Sequence, residues 1–120
     1  MVLRTFLKSK IHGATVTGAD VHYVGSIEID RDLMDLSGLD AGEQVHIWDV
    51  TNAARVETYV IEAPRGSKRI AVNGAAAKLV SVGDTVIIAA FALTDEKITP
   101  QIVIFDKNNL PIEPDPAVLR

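Results

Sequence analysis

Short segments in which apolar and polar residues alternate recur along the chain, separated by residues typical of turns. Alternation with a period of two places one set of side chains on each face of an extended strand. The segments are rich in Val, Ile, Thr and aromatic residues, which favour strands. The predicted strands are Leu3–Ile11, Ser26–Asp30, Val45–Val50, Arg55–Ile61, Arg69–Val72, Thr85–Leu93 and Gln101–Phe105.

Two short helices are predicted between these strands. Asp30 is a suitable N-cap for a helix through Leu33, and Gly38 is placed to end it. A second helix is predicted to begin at Asn73 and to end near Gly83. Many short strands with few helices predict a mostly β fold, a small closed barrel that leaves no long sheet edge open.

The end of the chain carries three prolines, which predict an extended tail: Pro111, Pro114 and Pro116. No internal repeat and no linker is apparent. With 120 residues, of which 48% are hydrophobic, the chain is long enough to bury a core without disulfides. A single domain over residues 1–120 is therefore predicted.

Composition excludes several classes of protein. The chain has no cysteine, which excludes a disulfide scaffold, a thiol nucleophile and a thiolate metal site. The net charge of −4 argues against a nucleic-acid partner. Residues 1–19 nevertheless contain no acid, and the first carboxylate is Asp20. As a regular strand, this segment places its basic residues on one face and its aliphatic residues on the other.

No membrane segment is predicted. The longest apolar run, Val86–Leu93, is far shorter than the ~20 residues of a membrane-spanning helix. Cations interrupt the N-terminal sequence MVLRTFLKSK, so it does not have the pattern of a secretory signal. A cytoplasmic location is the expectation.

The most suggestive chemical feature is the dipeptide Gly25-Ser26. A serine hydroxyl can attack the carbonyl of the preceding residue, and glycine favours this because it tolerates unusual backbone conformations. The dipeptide is weak support by itself, because Gly66-Ser67 is a second one. The three histidines do not have metal-ligand spacing, and no metal site is predicted.

Longer motifs carry a family resemblance. The sequences KSKIHGATVTGADVHYVGS, WDVTNAARVETY and RGSKRIAVNGAAAKLVSVGD occur in this order. Together they resemble the pyruvoyl-dependent aspartate 1-decarboxylases, and the match is co-linear from about residue 3 to 92. Several motifs in one order are far more specific than any one of them.

The resemblance implies a fold, a maturation step and an activity. The fold is a double-psi β-barrel, assembled as a homotetramer with active sites between subunits. The chain is expected to cleave itself between Gly25 and Ser26, giving a β chain of residues 1–25 and an α chain of residues 26–120. Whether this needs a maturation protein is left open by the sequence.

The implied cofactor is a covalently bound pyruvoyl group derived from Ser26, with no metal and no pyridoxal phosphate. It is expected to form a Schiff base with L-aspartate, so that the α-carboxyl group leaves as CO₂ and β-alanine is released. The product would enter pantothenate and coenzyme A biosynthesis.

The resemblance also implies residue roles. Tyr59 corresponds to the proton donor, since a phenol carries its proton at neutral pH. Thr58 corresponds to a residue of self-cleavage and substrate binding, although adjacent residues of a regular strand point to opposite faces. Arg55 is expected to hold the retained carboxylate through its planar guanidinium. The remaining predicted substrate-binding residues are Lys10, His12, Tyr23, Trp48, Asn73, Gly74, Ala75 and Ala76.

Two alternatives to this activity are left open by the residues. One is a non-catalytic barrel that binds a partner or ligand, and the other is a pyruvoyl decarboxylase for another amino acid. Gly13 and Lys78 depart from the usual family pattern, in which a basic residue and a histidine are common, so their roles are not predicted.

Overall fold

Nine strands and two short helical segments make up residues 1–112, the part of the chain that this computed structural model describes. The strands are Arg4–Thr15 (β1), Gly18–Asp20 (β2), Ser26–Asp30 (β3), Gln44–Asp49 (β4), Arg55–Ala63 (β5), Ile70–Asn73 (β6), Thr85–Thr94 (β7), Gln101–Phe105 (β8) and Pro111–Ile112 (β9). An α-helix, α1, spans Arg31–Ser37, and a 3-10 helix spans Gly74–Lys78. The predictions for Pro114 and Pro116 lie outside the described residues.

The strands form one curved sheet in the order β2-β6-β3-β5-β4-β7-β1-β8-β9. The two end strands of this order do not pair with each other within residues 1–112. However, only Val16 and Thr17 separate β1 from β2, and their N–H groups donate to the Asp84 and Ile70 carbonyls at 2.9 and 2.7 Å. Residues 4–20 therefore pair with β7 on one side and with β6 on the other, which closes a six-stranded ring.

The strand directions within the ring are mixed. β3 pairs with β5 and β2 pairs with β6 in parallel, whereas the other neighbours in the ring are antiparallel. β8 and β9 extend the sheet from the free edge of β1. The prediction of a mostly β barrel with two short helices is confirmed, and the mixed directions agree with the double-psi barrel that the resemblance implies.

The core fills the inside of this ring. Alternate residues of β1, β3, β4, β6 and β7 point inward, because a strand turns successive side chains to opposite faces. Helix α1 covers one end with Leu33 and Met34, both buried. The largest fully buried side chains are Ile11, Ile27, Ile29, Leu33, Met34, Ile47, Ile70, Ile88, Val16, Val45, Val60 and Val72.

Helix α1 begins and ends as predicted. The Asp30 side chain accepts from the Asp32 N–H at 2.8 Å, which satisfies one of the free N–H groups at the helix start. The same carboxylate accepts from the N–H groups of Gly66 and Lys68, so it also fixes the turn that follows β5. Gly38 ends the helix with φ 75°, in the left-handed region that glycine adopts without strain.

The sequence prediction for β1 is wrong in its face assignment. The β1–β7 register shifts between Leu7 and Ser9 and again between His12 and Ala14. The first shift puts Leu7 on the same face as Lys10 and His12, and it turns Arg4 to the opposite face. The basic residues therefore do not share one face. Gly13 lies at the second shift with φ 84°, so this departure from the family pattern occupies a position that favours glycine.

Other boundaries also differ from the predictions. The second helix is a single 3-10 segment that ends at Lys78 rather than near Gly83, because the Leu79 N–H already donates to the Ala76 carbonyl. The short strands β2 and β9 are not predicted, since two or three residues cannot display an alternating pattern.

A buried carboxyl group lies at the end of β4. Asp49 accepts from the N–H groups of Thr51 and Asn52, but its Oδ2 atom has no hydrogen-bond partner among residues 1–112. Burial raises the pKa of Asp49, and the neighbouring Asp84 carboxyl raises it further. The pKa of Asp84 is lowered by the neighbouring Asp49 carboxyl group and by the Ser81 N–H, which donates to Asp84 Oδ2 at 3.0 Å. The two carboxyl groups titrate as a pair.

Candidate active site

The Ser26 hydroxyl is buried at the start of β3, with the residue 1% exposed. Asn73 at the end of β6 is its antiparallel partner, and the Asn73 Nδ2 atom donates to Ser26 Oγ at 3.1 Å. Ser26 Oγ lies 3.2 Å from the Val24 carbonyl, to which the hydroxyl donates. A donor and an acceptor therefore fix the position of the hydroxyl.

The residue before the serine is in close contact with the loop after β6. Gly74 has φ 77°, and a Cβ atom there would lie 2.6 Å from the Gly25 Cα and 2.9 Å from its N. Only glycine allows the two backbones to approach so closely. Gly25 itself is exposed, and apart from its two chain neighbours no described residue has an atom within 4 Å of where its own Cβ would be. We call Gly25, Ser26, Asn73 and Gly74 the junction site.

An acidic side chain supports the junction site. Glu28 Oε2 accepts from Asn73 Nδ2 at 3.1 Å, and Arg69 donates to both Glu28 oxygens at 3.3 and 3.2 Å. Burial raises the pKa of Glu28, but the hydrogen bonds from Arg69 and Asn73 and the Arg69 charge outweigh it, so the pKa is below its usual value. Neither Glu28 nor Arg69 is among the site residues predicted from the sequence. The sequence could have indicated Glu28, because it follows Ser26 by two residues on the same predicted strand and so shares its face.

Thr58 and Tyr59 lie on opposite faces of β5. Thr58 pairs with Val45, a core residue, so its side chain faces the barrel interior. Tyr59 is 40% exposed on the outer face. β3 and β5 are parallel with Ile27 opposite Val60, which places Tyr59 level with Ser26 and on the same face. The pairing of β5 with β4 shows no register shift that would bring both side chains to one face.

A second group of predicted residues lies on the outer face of the sheet. Cross-strand pairs connect Arg55 to Trp48, Trp48 to Ile87 and Ile87 to His12, so these side chains form a row. Lys10 lies on the same face, two residues along β1. We call Lys10, His12, Trp48 and Arg55 the outer row.

The Arg55 guanidinium in the outer row has no anionic partner in the part of the chain that the structure describes. Its Cζ atom lies 4.9 Å from the centroid of the Trp48 ring, a cation–π contact that orients the side chain. Among residues 1–112, neither Arg55 nor Lys10 takes part in an ion pair. Trp48 and Arg55 also line a cleft of about 260 Å³. The row therefore offers unpaired positive charge to an anionic ligand.

The other predicted residues near the junction site differ in their exposure to solvent. Tyr23 is 57% exposed, and its carbonyl oxygen is close to Gly74. Ala75 is exposed, whereas Ala76 is partly buried and packs against the core. Within the described residues, no three His, Asp or Glu side chains come together as a metal-binding group.

The junction site and the outer row are separated in one chain. Arg55 precedes Tyr59 by four strand residues, which corresponds to about 13 Å along β5. The guanidinium also leans over β4, on the side of β5 opposite to β3. The structure therefore brings Ser26, Tyr59 and Asn73 together and leaves Arg55 at a distance.

Within residues 1–112, the site therefore combines a buried serine at one end of a small β-barrel with cations on the outer face that take part in no ion pair. The sequence profile of aspartate decarboxylase matches residues 2–112. The chain therefore belongs to the aspartate decarboxylase family, which confirms the resemblance.

Known proteins similar to this chain include a curated relative and a solved structure. The aspartate 1-decarboxylase of Hyphomonas neptunium (strain ATCC 15444) is 54% identical over 112 residues, which are 90% of this chain and 95% of that protein. The crystal structure of a computationally designed protein matches 72% of this chain and 99% of its own, with 23% identity and a TM-score of 0.45. Within residues 1–112, no helix has the length and apolar character needed to cross a membrane.

Proposed function

We propose that this chain is an aspartate 1-decarboxylase that converts L-aspartate to β-alanine and CO₂. The observation that carries the proposal is the buried Ser26 hydroxyl beside an exposed Gly25, in a chain of this family. The other Gly-Ser pair differs, because Gly66 and Ser67 lie together in an exposed turn. β-Alanine produced in this way would enter pantothenate and coenzyme A synthesis in the cytoplasm.

The proposed maturation is a self-cleavage at the junction site. Ser26 Oγ attacks the carbonyl carbon of Gly25, the peptide C–N bond breaks, and the hydroxyl proton passes to the freed nitrogen, which leaves an ester. Elimination then removes the proton on the Ser26 Cα and breaks the bond between Oγ and Cβ, so that Gly25 leaves with a free carboxyl group. Hydrolysis of the resulting dehydroalanine gives a pyruvoyl group and ammonia. Residues 1–25 and 26–120 become separate chains.

The surroundings of Ser26 fit a pyruvoyl group. Asn73 supplies an uncharged N–H donor at this position, which suits a ketone oxygen. The pyruvoyl ketone supplies a carbonyl for the amino group of aspartate and an electron sink for the bond to the departing carboxyl group. Ser26 is buried while the adjacent Gly25 is exposed, so the group would lie at the surface end of a protected strand.

Tyr59 is the proposed proton donor. Its side chain lies level with Ser26 on the same face and is reachable from solvent. A phenol there holds a proton that can be returned to the carbon from which CO₂ has left. Thr58 faces the interior, so its proposed part in self-cleavage requires contact with the Gly25 carbonyl from the inner side of the strand.

The outer row is proposed to bind the carboxylate that the substrate keeps. Arg55 presents a planar fork that matches a carboxylate, and the Trp48 ring holds it in place. Lys10 adds positive charge on the same face, and His12 adds a hydrogen-bonding ring. Because Arg55 and Lys10 have no acidic partner in the described residues, they are free to bind an anion.

A homotetramer with sites between subunits would bring the two groups together. Arg55 lies about 13 Å along β5 from the level of Ser26, and its guanidinium leans away over β4, so the proposed site combines Ser26 of one chain with the outer row of another. The outer face also carries an aromatic cluster, in which the His46 and Phe91 rings meet edge to face at 5.3 Å. Exposed apolar side chains nearby, such as Leu93 at 66%, are suited to burial against a second copy.

The decisive experiment compares the parent chain with Ser26→Ala. The parent should separate into two fragments on denaturing electrophoresis and release CO₂ from aspartate, whereas Ser26→Ala should fold, stay intact and be inactive. Gly66 and Ser67 provide the control, since Ser67→Ala should still be cut. A parent chain that remains intact after incubation with a bacterial lysate, which supplies any maturation protein, would contradict the proposal.

A further inference from the structure

A hydrogen-bonded series of four polar residues leads from the protein surface to the Ser26 hydroxyl. Arg69 contacts both oxygens of Glu28, Glu28 accepts from Asn73 at 3.1 Å, and Asn73 donates to Ser26 Oγ at 3.1 Å. Solvent exposure decreases along this series. The side chains of Arg69 and Glu28 are 44% and 22% exposed, and the residues Asn73 and Ser26 are 3% and 1% exposed.

The Asn73 amide group has two hydrogen atoms on Nδ2, and this arrangement uses both. One is directed to Ser26 and the other to Glu28. Two fixed acceptors define the plane and the orientation of the amide, whereas one acceptor alone leaves rotation about that hydrogen bond. Glu28 is itself fixed, because Arg69 binds it through two nitrogen atoms.

We propose that Glu28 is a positioning residue for self-cleavage, acting through Asn73 on the Ser26 hydroxyl. This inference rests on the proposed function. Negative charge develops on Oγ as its proton leaves, and it passes to the Gly25 carbonyl oxygen once the bond from Oγ to the carbonyl carbon forms. A donor held at 3.1 Å stabilises that charge, and Glu28 keeps the donor there. Arg69 neutralises Glu28 and holds its carboxylate in place.

The rate of cleavage of freshly purified chain, followed by denaturing electrophoresis, tests the proposal. Glu28→Ala should be cut roughly ten-fold more slowly, because the amide loses one of its two acceptors. Glu28→Gln retains an acceptor oxygen and should stay within about three-fold of the parent. Rescue by glutamine but not alanine distinguishes positioning of Asn73 from a general contribution of the charge.

Glu62→Ala is the matched control. Glu62 lies on β5, the strand next to β3, and like Glu28 it pairs with an arginine, Arg31, at 3.1 Å, but it has no hydrogen bond to Asn73. This variant should be cut at the parent rate. Arg69→Ala provides a second variant, expected to slow cleavage by about three-fold, since Glu28 remains but is less well held.

The outcomes separate this inference from the proposed function. A parent chain that is cut, together with Glu28→Ala cut at the same rate, would overturn the role of Glu28 alone. Equal slowing by Glu28→Ala, Glu28→Gln and Glu62→Ala would also overturn it, because it would show a nonspecific effect of lost charge. A parent chain that is never cut would overturn the proposed function, and this inference with it.

Discussion

Replacing Gly74 by alanine is the sharpest steric test of the junction site. The new methyl group would lie 2.6 Å from the Gly25 Cα and 2.9 Å from its N, and the residue would keep φ 77°. Gly66 is a matched control, because its φ is 79° and nothing lies within 4 Å of its Cβ position. The two substitutions therefore share the backbone strain, and only Gly74→Ala adds the collision.

The magnitudes follow from these distances. A left-handed conformation costs an alanine roughly 1–2 kcal/mol, and this cost applies at both positions. Contacts of 2.6 and 2.9 Å are far inside the optimum of about 3.5–4.0 Å between carbon atoms, and such overpacking costs about 1–3 kcal/mol more. At about 4 °C for each kcal/mol in a chain of this size, Gly74→Ala should melt roughly 4–12 °C below Gly66→Ala.

Both variants should be melted in a Ser26→Ala background, so that every chain is intact and the free energies refer to the same molecule. With Ser26 restored, cleavage should be strongly slowed by Gly74→Ala, because Gly25 must move away from the new methyl group. Gly66→Ala should be cut at the parent rate. Equal melting temperatures and equal cleavage rates for the two variants would refute the reasoning.

Further predictions concern turnover and stability. Tyr59→Phe should be cleaved normally but turn over aspartate roughly 10²–10⁴-fold more slowly, and normal turnover in the processed variant would exclude the phenol as proton donor. Thr58→Ala should instead accumulate uncut chain. Arg55→Lys should not restore the activity lost in Arg55→Ala, since an ammonium lacks the bidentate geometry, and kcat/KM for aspartate tests this. Asp49→Asn should raise the free energy of unfolding at pH 7 by about 1–2 kcal/mol, because an amide satisfies the unpaired position facing Asp84. Because the pKa of Asp49 is raised in the folded state, the protonated Asp49 side chain contributes to stability below about pH 4, and this contribution is lost as the pH rises. The gain in free energy of unfolding from Asp49→Asn should therefore shrink as the pH falls from about 7 toward about 4, which urea titrations measure.

The alternating pattern predicts most strands because each of them buries one face. Ile27 and Ile29, for example, are completely buried, as their spacing indicates. The pattern fails in β1, where the shifts at Leu7 and Gly13 reverse the faces. A bulge depends on how two strands pair, and one strand's sequence does not contain that information. The closure of the ring by residues 4–20 is likewise a property of pairing rather than of local sequence.

Some features of the candidate site could likewise be predicted from the sequence, and others could not. The Gly25-Ser26 junction and Arg55 were predictable because family motifs contain them. The contact of Glu28 with Asn73 was not, since 45 residues separate them and only the β3–β6 register brings them together. The distance of Arg55 from Ser26 also depends on strand order, so the local sequence does not contain it, and only the family resemblance suggested a site shared between subunits.

The closing segment of the barrel lies entirely before the proposed cleavage point. Residues 1–25 contain β1 and β2, and they contribute Ile11, Ala14 and Val16 to the core. Cleavage would therefore turn the protein into a naturally split one, in which a detached peptide still supplies a strand to the barrel. Once unfolded, the uncut chain can regain its fold in a unimolecular reaction. The cut form must first recapture its peptide, so its recovery would slow on dilution and accelerate when excess peptide is added.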